Sequence, residues 1–194
     1  MPTADIHGYE FGRATIDRSP VTLEELREIE ATVGWNGEDV RILARYRETF
    51  EKHAEEMVDT WRAVIGSQPH LAKWFFAPDG KPDEEYKSAV KKRFVQWVRD
   101  VISLPHDQAW LDYQEEIGLR HTPAKKNKTE GAQTPNVVPL RYLLGFVPVV
   151  TINTRKFFDG VPPDERRKLE DAWTKAVQLH VTLWARAYAN DGLW

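Results

Sequence analysis

Apolar residues recur in this chain at helical spacing from Thr22 to Tyr188, and no stretch of any length alternates as a strand would. Proline and glycine cut the pattern into segments, and there is no internal repeat. The sequence therefore predicts an all-α fold of about eight helices, with all 194 residues in one domain large enough to bury a real core.

Local signals place the segments. The lead-in, residues 1–20, is broken by Gly and Pro, but Ile6, Tyr9 and Phe11 give it something to bury. It is either an extended lid across the body or a disordered tail. Thr22 and Glu25 make a capping box that opens a helix over 22–33, with Leu23, Leu26, Ile29 and Val33 on one face. Residues 38–66 predict two helices with a bend, their inner stripe running Val40, Leu43, Tyr46, Phe50, Met57, Val58 and Trp61. A short apolar turn over 70–77 precedes Pro78–Asp79–Gly80. Pro82 is expected to begin a helix reaching Ile102, with Tyr86, Val90, Phe94, Trp97, Val98 and Val101 inward and Lys91, Lys92 and Arg93 outward. After a helix over 107–121 and a polar loop over 122–136 comes an apolar helix over 137–158. Leu140, Leu143, Leu144, Val147 and Ile152 should form its buried side, and Pro148 should kink it. The last helix, 163–189, turns Leu169, Trp173, Ala176 or Val177, His180, Trp184 and Tyr188 inward.

Composition excludes several classes. With no cysteine there is no disulfide, thiolate catalysis, Fe–S cluster or thiolate-ligated haem. A net charge of −3 lacks the basic surplus of a nucleic-acid binder. No apolar run reaches the roughly 18 residues of a membrane span, and MPTADIHGYEFGR has no charged-then-apolar leader, so a cytoplasmic protein is expected. HExxH, ExxH, phosphate-loop and G-x-S-x-G patterns are all absent. Eight Trp and eight Phe stand out, and imply an aromatic core or a wall around something flat and apolar.

The stretch 107–123, DQAWLDYQEEIGLRHTP, carries the most chemistry. Trp110, Gln114, Ile117, Gly118 and His121 share one side; Asp107 can cap the start; Asp112, Glu115, Glu116 and Arg120 can face water. Pro123 stops the helix near His121. The last carbonyls, which lack intrahelical donors, can then accept the Nδ1–H of that imidazole and leave Nε2 as an oriented lone pair. Two readings stay open: a core histidine satisfied by a helix end, or the axial ligand of a haem iron. Gly118, one turn earlier, would let a flat macrocycle approach the backbone. Of the other histidines, His7, His70 and His106 read as surface residues and His53 as solvated. His180 lies on an apolar stripe but mid-helix, which suits a core or interface role. Trp61, Phe94 and Phe146 sit on three different helices, each placed to face inward, as core filler or as walls.

Four segments, DTWRAVIGSQPHL, KKRFVQWVRD, DQAWLDYQEEIGLRH and PLRYLLGFVPVV, resemble protoglobins, single-domain haem proteins related to the globin part of globin-coupled sensors. The resemblance runs through nearly the whole chain: a lead-in over 1–20, a pre-globin helix over 22–33 and a globin core over about 38–190. It implies a globin-like sandwich that binds haem b through a proximal histidine matching His121, with Ile117 and Gly118 on the same helix face. A distal wall of Trp, Tyr and two Phe is matched by Trp61, Phe94 and Phe146. At the Tyr position this chain has Arg62, so stabilisation by a distal hydroxyl does not carry over. An inward Arg62 would donate to anionic ligands or hold a propionate, and an outward one would be a surface arginine. Arg93 is the candidate propionate partner. The resemblance further implies an enclosed haem and a homodimer formed through 137–158 and 163–189.

The function implied is binding of diatomic gases (O₂, CO, NO) at the iron. A haem enzyme using the same site is the alternative, by nitric oxide dioxygenation, peroxidase-like chemistry or nitrite reduction. Such an enzyme would need an external electron donor. A gas sensor would have to signal through a separate partner, because the chain stops just after its last helix. The remaining rival is a helical scaffold with no cofactor.

Overall fold

Four helices begin where a side chain, of Thr22, Asn36, Asp83 or Asp107, takes over an orphaned backbone donor. The computed structural model describes residues 6–189 and 194; residues 1–5 of the lead-in and residues 190–193 lie outside it. Helix α1 (Leu23–Val33) is opened by the Thr22–Glu25 capping box and closed by Gly34 at φ 70°. Asn36 and Asp39 make a second box for α2 (Gly37–Arg45), and a one-residue bend at Tyr46 leads into α3 (Arg47–Ser67). Pro69 starts the single turn α4 (Pro69–Ala72). Asp83, rather than Pro82, caps α5 (Glu84–Val101), and Asp107 caps α6 (Gln108–Leu119).

The apolar segment over 137–158 is not one kinked helix. It is divided at Phe146 into α7 (Leu140–Gly145) and α8 (Val147–Thr154), with Pro148 in the first turn of α8, where its missing N–H costs nothing. The last helix, α9 (Pro163–Ala185), continues as a tighter turn through Tyr188. Among the described residues the only β pairing is an isolated bridge between Phe76 and Pro82.

Helix α9 is the central element, packed against α2, α6 and α8, while α3 packs on α5 and α8. Their meeting faces hold Phe50, Met57, Trp61, Val98, Leu169 and Trp173 in the main core; Leu26, Trp110, Leu111, Leu179 and Leu183 form a second cluster under α1. Each fully buried tryptophan contributes on the scale of 3–5 kcal/mol if truncated to alanine. Four positions expected on apolar faces are exposed: Leu23 (42%), Val40 (50%), Leu144 (46%) and Ile152 (54%). Val40 is on the outer side of α2, and the break at Phe146 turns Leu144 and Ile152 away from the body.

The described lead-in lies across the body as a strap. Tyr9 and Phe11 set their rings edge-on against Tyr113. The Tyr9 hydroxyl donates to Asp100, and the Ser19 N–H donates to Asp112.

Candidate functional site

Helix α6 ends one residue before Arg120, so His121 sits in the turn that follows rather than on the helix. The geometry expected of a helix-end imidazole is present: Nδ1 lies 2.9 Å from the Ile117 carbonyl. With Nδ1 as the donor, Nε2 is left as the lone-pair nitrogen. The backbone of the turn is held by Val138, whose N–H donates to the His121 carbonyl at 2.8 Å, and the Tyr188 hydroxyl donates to the Val138 carbonyl at 2.6 Å. The Trp184 ring stacks on the imidazole at 5.8 Å and 21°, and is itself fixed by donating Nε1–H to Gln114 at 2.9 Å. Burial holds the His121 pKa below its ordinary value, so the ring is neutral at neutral pH.

His121 faces a cavity of about 240 Å³. Its wall is largely carbon, from Phe94 and Trp97 of α5, Ile117 of α6, Leu143 of α7, Val147 and Val150 of α8, and Val177, Val181 and Trp184 of α9, with Phe146 at the α7–α8 break. Tyr142, Trp74, Phe75 and Tyr86 continue the lining. Of the residues singled out from sequence, His121, Ile117, Phe94, Phe146, Arg62 and Arg93 therefore share one cavity.

Trp61 and Gly118 do not line it. Trp61 is wholly buried behind Phe94, 5.2 Å from that ring, and sits between it and Trp173. It backs the wall instead of forming it. A Cβ on Gly118 would lie 3.0 Å from the Trp184 carbonyl and 3.1 Å from its Cα. The missing side chain thus admits the backbone of α9, not a macrocycle.

Cations gather around the cavity. Arg93 donates to Glu130 at 2.5 Å and to the His7 carbonyl at 3.0 Å, so it is a half-buried, paired group rather than a fully solvated one. Arg120 bonds Glu116 through Nε at 2.8 Å and the Gly8 carbonyl through Nη1 at 2.5 Å. These two bonds bury Glu116 and Arg120, which were expected to face water. Two cavity-lining arginines thus clamp the strap at residues 7 and 8. Gly8 is required there: its φ is +74°, and a Cβ would meet Thr129 at 2.5 Å and Arg93 at 2.9 Å. Arg62 lines the cavity with its Nη1 donating to the Lys87 carbonyl at 3.0 Å, and burial lowers its pKa. It is neither fully inward nor a plain surface residue.

Three further histidines settle into structural roles. His180 accepts the Trp97 indole N–H at 3.0 Å and is ringed by Trp97, Trp110 and Trp184, inside the core and away from the cavity lining. His106, expected at the surface, is sandwiched between Trp35 and Trp110 and bonds Glu30 at 2.6 Å. His7 contacts the Thr129 carbonyl at 3.2 Å, across the edge of the strap. Sequence spacing could not reveal the bonds to Thr129, Trp97 and Glu30, because those partners lie 122, 83 and 76 residues away.

The residues present suit a flat, iron-bearing macrocycle. They supply a neutral nitrogen ligand already oriented from behind, mainly apolar walls, and cations for acidic side groups. A protoglobin family model matches residues 22–194. The chain belongs to the protoglobin family. Among solved structures it resembles the globin domain of the Geobacter sulfurreducens globin-coupled sensor, at TM-score 0.62 and 17% identity, covering 84% of this chain and 97% of that one. That likeness shows a globin fold. No curated protein matches the chain in sequence. Family and fold together make this protoglobin a globin-type haem protein. Among the described residues, no helix is long and apolar enough to cross a membrane.

Proposed function

We propose that this protoglobin binds haem b in the His121 cavity and takes up diatomic gases, O₂, CO or NO, at the iron. The observation carrying this reading is one imidazole with Nδ1 locked onto the Ile117 carbonyl, a stacked Trp184 behind it, and a carbon-walled cavity in front. His121 would hold the iron through Nε2, and its Nδ1–H bond to the Ile117 carbonyl would raise the basicity of that nitrogen. Bound haem supplies the metal–ligand chemistry; the protein controls access, polarity and orientation. Phe94, braced by Trp61, and Phe146 limit the size of what enters and exclude water. Arg93 and Arg120 keep the strap closed over the cavity. Residues 6–20, the described part of the lead-in, serve as the lid, 22–33 as the pre-globin helix and about 38–189 as the globin core.

The absorption spectrum of the ferric, ferrous and CO-bound protein tests this reading. Expected are a histidyl five-coordinate ferrous form and its CO adduct, both lost in His121→Ala and restored by added imidazole. No Soret band after reconstitution with haem would favour a scaffold without cofactor.

Arg62 favours a second reading, catalysis at the same site on anionic or peroxide ligands with an external electron donor. Its guanidinium spends one N–H on Lys87 and retains four others beside the cavity. Turnover of NO, peroxide or nitrite with an added reductant separates catalysis from simple gas binding. A homodimer through α7–α8 and α9 completes the proposal, supported by the exposed Leu144 and Ile152 on that face.

A further inference from the structure

Four cations line the cavity, and three have carboxylates close by. Arg93 pairs with Glu130, Arg120 pairs with Glu116, and Arg62 lies in the field of Asp59 and Glu84. Lys126 differs. It is 4% exposed, and among the described residues its ammonium donates only to neutral acceptors: Thr134 Oγ1 at 2.8 Å, the Trp74 carbonyl at 3.0 Å and Asn127 Oδ1 at 3.3 Å. The Tyr86 ring lies 5.0 Å away. Thr134 and Asn127 are bonded to each other, which fixes two of these acceptors on the loop.

Burying an ammonium without a counter-charge is costly, and burial alone pulls its pKa down to about 8. A second polar group nearby is also unanswered. Trp74, whose carbonyl accepts from Lys126, lines the same cavity, and its buried indole N–H has no acceptor among the described residues. A charge and a donor left unmatched in one wall are matched by an anion with two acceptor oxygens.

We propose that the Lys126 ammonium and the Trp74 indole N–H form a carboxylate subsite in the cavity wall, which selects porphyrins by an ionised carboxylate side chain. The subsite rests on the porphyrin reading of the cavity given above. The carboxylate replaces the long contact to Asn127 and supplies the missing counter-charge. Arg93, already neutralised by Glu130, is then a strap clamp rather than the main carboxylate partner.

Metal-free protoporphyrin IX and its dimethyl ester, titrated into apo-protein and followed by quenching of tryptophan fluorescence, test the subsite without involving the iron–His121 bond. Wild type should bind the diacid at least about tenfold more tightly than the diester. Lys126→Met should remove that preference by weakening the diacid alone, Trp74→Phe should reduce it about threefold, and Lys126→Arg should keep it. Equal affinities for diacid and diester in wild type overturn the subsite with no variant needed. So does a preference that survives in folded Lys126→Met, or one that disappears in Arg93→Met instead. Should wild type bind neither porphyrin, the porphyrin reading itself fails, and the subsite with it.

Discussion

His121 and His180 are two buried imidazoles, each in contact with Trp184, and they do opposite work. At His121 the ring donates Nδ1–H to a carbonyl left over at a helix end, so Nε2 keeps its lone pair and faces a cavity. At His180 the helix has already used the neighbouring carbonyls. Nδ1 accepts from Trp97 instead, Nε2 must carry the proton, and that N–H is sealed in the core with no acceptor. Burial depresses the pKa of both, most strongly at His180, so charge does not separate their roles. What separates them is which nitrogen is free and what lies in front of it. A residue's position relative to the end of its helix decides its tautomer, and the tautomer decides whether it can hold a metal.

Breaking the contrast at its centre should have the largest effect. His121→Ala is expected to abolish axial ligation while leaving the apo-fold intact, by circular dichroism and a cooperative melt. His180→Ala should do the reverse. Haem spectra should persist, and the protein should lose about 2–4 kcal/mol on denaturant unfolding, from the cavity opened among three tryptophans and the stranded Trp97 N–H. Exchanged outcomes would reverse the assignment of the two histidines.

Asp100 sharpens the comparison from the other side, as a buried group that does titrate. Burial raises its pKa from 3.8 to about 6, although Gln96 and Tyr9 donate to it. The fold favours its protonated form. Its stabilising contribution is therefore present at low pH, falls as pH rises from about 4 to 6, and is flat above that. Asp100→Asn should flatten this segment of the stability–pH curve, a change of about 2–3 kcal/mol. Burial raises the pKa of the neighbouring Tyr9 and Tyr113 hydroxyls, so neither titrates in that window.

Smaller effects should follow from loosening what holds His121. Gln114→Leu strands the Trp184 N–H and should cost about 1–2 kcal/mol, with a broadened iron–histidine Raman band as the specific sign of a less constrained ring. Arg62→Leu should change stability least, yet speed O₂ release or autoxidation by several-fold if its remaining N–H groups serve the bound ligand. Unchanged rates would confine its role to the Lys87 carbonyl.

Much of this was legible in the primary structure because it depends on local chemistry. The Thr22–Glu25 capping box, the Asp107 cap and the Nδ1 contact of His121 all join residues within one or two turns, whereas the Asn36–Asp39 box and the placing of the 38–66 bend at Tyr46 came only with the structure. The errors were failures of long-range inference. Trp61 satisfied the inward pattern, yet the pattern could not say that Phe94 would stand between it and the cavity. Gly118 was read as clearance for a ligand when it is clearance for α9. Lys126 carries no signal inside a polar loop, because only the folded chain shows that its charge is buried and that, among the described residues, its acceptors are all neutral.

The sequence by itself determined an all-α chain, the starts of its capped helices at Thr22 and Asp107, and the tautomer open to His121, since caps and unpaired carbonyls act over a few residues. Only the tertiary structure decided which aromatic rings meet the cavity, which arginines are spent on the strap, and which cation is left unanswered. Those outcomes depend on where α3, α5 and α9 bring distant side chains together, and helical periodicity assigns a face without naming what packs against it.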